Sequence, residues 1–88
     1  MPTDSRSVLR RFLARNFLLS DQDLPFDDDA SLITEGLIDS TGVLELILFL
    51  EESFGVRVSD ADATPRNLDS VRRILAYVAA KQRHDLAS

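Results

Sequence analysis

The sequence predicts an all-α bundle of three main helices plus one short helix, with a long first loop. Three observations carry that expectation. Apolar residues recur at helical spacing in three separate stretches. Glycine and proline number only three each and aromatic residues are few, which favours helices over a sandwich or barrel. The 88 residues bound a single domain, expected to span 1–88 with an ordered core from about 5 to 83. So short a chain buries roughly 60–65% of the surface of its unfolded form, so its core is thin. It has no cysteine, so neither a disulfide nor a cysteine-based metal site can brace it, and no metal site is expected. A hydrophobic content of 44% is enough for a small globule and too high for a disordered tail.

The first helix covers 5–18. Val8, Leu9, Phe12, Leu13 and Phe17 share its apolar spacing, arginines lie between them, and Asp4 or Ser5 can cap its start. Residues 19–38 follow as a loop, because Asp21, Asp23, Pro25 and Asp27-Asp28-Asp29 are poor helix material. Loops of that length are uncommon in small domains. Phe26, Leu32, Ile33, Leu37 and Ile38 therefore predict that this one packs over the core.

The second helix spans 40–54, with Val43, Leu46, Ile47, Leu50 and Phe54 on the buried face and Gly55 as its stop. If the Phe54 ring is buried, Phe54→Ala should cost about 3–5 kcal/mol. Val56-Arg57-Val58 reads as an extended connector. Asp60 to Ala63 allows one short helical turn, and Thr64-Pro65 makes its continuation unlikely. Asp69 or Ser70 caps the last helix, whose stripe is Val71, Ile74, Leu75 and Val78. Lys81 and Arg83 suit its C-terminal dipole, and residues from His84 to Ser88 are expected to fray.

Charge is unevenly placed. Residues 1–20 are locally +3, residues 21–62 carry twelve acids against Arg57, and residues 63–88 return to +3, giving the net −5. The acidic middle disfavours nucleic acid and suits protein partners that present Lys and Arg. Such runs also simply solvate a surface. No apolar run approaches a membrane span and no leader is evident, so a cytoplasmic chain without membrane insertion is expected. A monomer is expected.

Chemistry concentrates at Gly36-Leu37-Ile38-Asp39-Ser40. Asp39 or Ser40 is the N-cap of the second helix, where unpaired backbone N–H groups and the helix dipole favour an anion. A serine without an evident base is a poor nucleophile but a good point to attach a phosphate-bearing group. The plain alternative is that Asp-Ser only caps the helix. Beyond Ser40, Thr41, Leu44, Glu45, Leu48, Glu51 and Glu52 lie away from the buried stripe. Leucines rimmed by carboxylates read as a docking patch for a basic partner.

The segment from Gly36 to Leu46 resembles the attachment motif of acyl and peptidyl carrier proteins. Glu51-Glu52-Ser53-Phe54-Gly55-Val56 and the stretch from Thr64 to Val71 are similar to later parts of that family, and the likeness runs from about Val8 to Ala80. The resemblance implies an acyl-carrier-like fold. It further implies a 4′-phosphopantetheine arm on Ser40, with Asp39 helping the modifying transferase hold its metal and phosphates. Thr41, Leu44, Glu45 and Leu48 match positions that meet partner enzymes. The chain would then be no enzyme itself. It would shuttle acyl or aminoacyl thioesters between a phosphopantetheinyl transferase, an acyl- or amino-acid-activating ligase and downstream acyltransferase, condensing or tailoring enzymes. Thr41-Gly42 departs from the bulky-then-acidic pair of fatty-acid carriers. It is similar to stand-alone carriers of specialised polyketide, nonribosomal peptide or aminoacyl-transfer pathways, including those for D-alanine. Gly42 either admits a close approach by the loop or a partner, or is tolerated in the first turn. The competing function is a non-covalent helical adaptor using the same acidic-apolar face. A serine-dependent enzyme lacks a base, because the one histidine, His84, lies in the expected frayed end.

Overall fold

The computed structural model describes residues 4–87, with side chains described through Arg83. Helix α1 spans Ser5–Phe17, and Asp4 is its cap, accepting the Ser7 N–H at 2.7 Å. Leu9, Leu13 and Ala14 are fully buried, while Val8, Phe12 and Phe17 are half-buried. The helix closes with the Leu18 and Ser20 N–H groups both donating to Ala14 O. Between them Leu19 takes a left-handed backbone, φ 51°, and stands 89% exposed.

One arginine of α1 lies inside the fold. Arg10 is only 6% exposed. Its guanidinium donates to Asp23 at 3.1 Å, to Asp28 at 2.8 Å and to Leu24 O at 2.7 Å. Arg6, one turn earlier, reaches the other Asp28 oxygen at 2.6 Å. Loop acids that looked free for partners are therefore consumed inside the fold.

Residues 19–38 do pack over the core. Leu24, Leu32, Leu37 and Ile38 are buried. Ile33 is a correction: it is 46% exposed. Leu32 takes the inward position, and the Ile33 N–H is held by Asp69 Oδ1 at 3.0 Å. Asp69 also accepts the Leu32 N–H on its backbone oxygen at 2.7 Å and the Ser31 hydroxyl on Oδ2 at 2.7 Å. Arg72 N–H donates to Asp28 O at 2.9 Å. The loop is thus fastened on one side to α1 and on the other to the start of the last helix.

Helix α2 spans Ser40–Phe54 as expected, capped by Asp39 and stopped by Gly55 at φ 68°. Leu46 and Leu50 are fully buried; Val43, Ile47 and Phe54 are half-buried. Phe54, placed on the buried face, is not sealed inside. Instead it ends a row of rings that joins α1 to α2: Phe17 edge-on to Phe12, Phe12 stacked on Phe49 at 3.9 Å, and Phe49 edge-on to Phe54. The expected cost of Phe54→Ala falls accordingly to about 2 kcal/mol.

Val56 and Val58 turn inward along an extended connector, with Arg57 exposed. A 3₁₀ turn at Asp60–Asp62 is the expected short turn. Tyr77 O–H donates to Asp62 Oδ2 at 2.8 Å and pins it; burial, then that carboxylate, raise the phenol above its usual range. The next element was not anticipated. Helix α3, Pro65–Leu68, begins at the proline read as a break. At the first helical position a missing N–H costs nothing, because that donor would be unpaired anyway. Helix α4 spans Val71–Ala87, with Val71, Ile74 and Val78 buried and Leu75 half-buried. Ser70 is its cap, accepting the Arg73 N–H at 3.1 Å, which leaves the Asp69 carboxylate for the loop. Helical backbone continues past His84 to Ala87; Ser88 and the side chains from His84 onward lie outside the described residues.

Candidate functional site

The site is built at the start of α2. Asp39 has extended backbone, and its Oδ1 accepts the Gly42 N–H at 2.8 Å while its carbonyl accepts the Val43 N–H at 2.9 Å. That cap leaves Ser40 as the first helical residue, exposed. Among the described residues no side chain hydrogen-bonds Ser40 Oγ, and the N–H groups of Ser40 and Thr41 have no partner. An accessible hydroxyl beside unpaired donors at the positive end of a 15-residue helix suits a phosphodiester.

Next to it lies an apolar hollow of about 250 Å³. Ile33 and Ile38 of the loop, Val43 of α2, Ala63 after the 3₁₀ turn, and Pro65 and Leu68 of α3 line it, together with Asp39 and Ser40. The α3 side of this hollow was missed in the sequence, although Thr64 followed by proline was a readable helix start. Ile33, expected in the core, instead stands on its rim.

The expected docking residues divide. Thr41, Glu45 and Glu52 are exposed, as are Leu44 at 63% and Leu48 at 58%. Glu51 is half-buried, and its Oε2 accepts the Val58 N–H at 3.0 Å, which braces the connector. Gly42 is buried against α1. A β-carbon there would lie 2.8 Å from Phe17 Cε1 and 3.4 Å from Asp39 Oδ1. The close approach is therefore made by a ring of α1, not by the loop.

No family model matches the chain. It is 38% identical over 61 residues to the D-alanyl carrier protein of Abiotrophia defectiva, covering 69% of this chain and 77% of that relative. The chain belongs to the acyl and peptidyl carrier protein family. The carrier is also 31% identical over 64 residues to D-alanyl carrier protein 2 of Lactiplantibacillus plantarum, covering 73% and 80% of the two chains. These relatives favour a carrier over the non-covalent adaptor. Carriers of this family generally bear a phosphopantetheine group. The exposed hydroxyl, the unpaired N–H donors and the apolar hollow of this carrier fit that group. No helix among its described residues is long and apolar enough to cross a membrane.

Proposed function

We propose that Ser40 holds 4′-phosphopantetheine through its Oγ and that the carrier presents an aminoacyl group, D-alanyl by analogy with its relatives, to successive enzymes. The observation that carries this reading is the exposed Ser40 hydroxyl at the open N-terminus of α2. Once attached, the arm supplies the thiol that the chain lacks. The chain's own residues have three tasks. Asp39 caps the helix on Oδ1 and presents its second oxygen to the modifying transferase. The Ser40 and Thr41 N–H groups face the attached phosphate. Leu44, Leu48, Glu45 and Glu52 meet partners, their carboxylates steering basic surfaces and their leucines filling a shallow hollow. The carrier itself does no chemistry, so a phosphopantetheinyl transferase, an amino-acid-activating ligase and a downstream transferase are its partners.

Incubation with coenzyme A, Mg²⁺ and a broad-specificity transferase should add the mass of one arm, and Ser40→Ala should abolish the gain. A wild-type chain that several transferases leave unmodified sinks the proposal. Loading of the modified carrier with D-alanine in preference to L-alanine or a fatty acyl group, by a D-alanine-activating ligase, tests the cargo.

A further inference from the structure

We propose that Asp69 is a positioning residue that clamps Ile33 against the end of α3, and so shapes the hollow in which an arm on Ser40 is sheltered; this rests on Ser40 being the attachment residue. The hollow is lined by two segments far apart in the chain, Ile33 and Ile38 of the loop and Ala63, Pro65 and Leu68 around α3. Among the described residues, every hydrogen bond between loop residues 31–38 and residues 63–70 ends on Asp69. Its Oδ1 accepts the Ile33 N–H at 3.0 Å, its Oδ2 the Ser31 hydroxyl at 2.7 Å, and its carbonyl oxygen the Leu32 N–H at 2.7 Å. Ser31 Oγ in turn accepts the Thr34 N–H at 3.1 Å, which closes the turn that carries Ile33. The carboxylate is free for this task because Ser70 caps α4.

The α3 side of the hollow is held without that carboxylate. Just ahead of Ala63, Asp62 Oδ2 accepts the Tyr77 hydroxyl at 2.8 Å, and its carbonyl accepts Asn67 Nδ2 at 2.9 Å. Within α3 the Leu68 N–H donates to Thr64 O at 3.0 Å. Ile33 is less secure. Its side chain is 46% exposed, and its N–H is held by Asp69 alone. Hydrogen bonds to an ionised acceptor are the stronger kind. Losing this one should free Ile33 while leaving α3 seated on α4. Ser40 lines the same hollow, so an arm leaving its Oγ starts beside a wall that Asp69 holds in place.

Two measurements test this, amide exchange on the unmodified chain and the emission of a solvatochromic dye carried on the arm. Asp69→Ala should raise exchange at Ile33 about tenfold or more, and change that at Leu68 by less than about twofold. Asp69→Asn should restore most of the protection, because it keeps an oxygen for the Ile33 N–H and can donate to Ser31 Oγ. With the dye attached through coenzyme A, Mg²⁺ and a broad-specificity transferase, the wild-type carrier should emit to the blue of the dye in water. Asp69→Ala should shift that emission back toward water, and Asp69→Asn should stay near wild type. Should Asp69→Ala melt too low to measure, Ser31→Ala removes one of the bonds and should move both readouts the same way by less. Exchange that rises equally at Ile33 and Leu68 makes Asp69 a general support of the fold and overturns the inference. Emission that is the same in wild type and Asp69→Ala overturns it as well. A wild-type chain that no transferase modifies sinks the Ser40 assignment and the sheltering with it, and the exchange result alone then judges the clamp on Ile33.

Discussion

Arg10 shows how much one side chain can organise. Its charge is buried, and its donors are divided among two carboxylates and a backbone carbonyl. Removing Arg10 leaves the Leu24 carbonyl without its donor, while Asp23 is largely solvated and Asp28 keeps Arg6. Arg10→Met should therefore cost about 1–2 kcal/mol in urea unfolding. A loss below about 0.5 kcal/mol, the scale of ordinary surface changes, would show that solvent replaces those bonds. Arg72 and Asp29 also pair, yet both are about 70% exposed, so their pairing contributes little. Spacing alone could not separate these arginines. The periodicity of α1 assigns faces, but a long charged side chain on the apolar flank buries itself only if acids arrive from elsewhere in the chain. Ser40 and Asp39 were legible because a cap is a local pattern. Phe17 was legible only as a core residue, since its close approach to Gly42 depends on how two helices meet.

Helix α2 sets buried and exposed leucines within a few residues of one another. Leu46 is fully buried, whereas Leu48 is 58% exposed on the side of Leu44. Leu46→Ala should lose about 2–5 kcal/mol, a large part of the margin of so small a domain. Leu48→Ala should lose less than about 0.5 kcal/mol while weakening transfer by partner enzymes. Equal melting losses for the two would mean that the exposed leucine packs in solution. The limits of α1 and α2 followed from the sequence because Asp4, Asp39 and Gly55 mark them chemically. The short α3 did not, because the proline that ends a helix when interior begins one when first. That element forms one wall of the hollow beside Ser40, so this half of the site stayed out of view.

Taken whole, the molecule spends part of its acidity on itself. A hydrogen bond from Arg6, with its charge and the bond from Arg10, holds the Asp28 carboxyl below the ordinary range; the Arg10 bond does the same for Asp23. Carboxyls depressed on folding stabilise the native state above their unfolded pKa of about 4 and lose that contribution as pH falls through their lower folded values. Stability should thus be nearly level from pH 7 to about pH 5 and fall steeply below about pH 4. Asp28→Asn should lower the plateau and flatten the fall; an unchanged slope in melting scans would place the acid sensitivity elsewhere. The charge imbalance was visible in the sequence, but its division between internal pairs and a free face required the folded loop. A domain whose core is thin has small reserves. Leu19 keeps one of them in hand: a bulky residue in a left-handed backbone forfeits about 1 kcal/mol, while its side chain stands in solvent. Glycine at that position would give the protein engineering headroom, a sturdier chassis on which damaging changes around Ser40 can be studied without collapse.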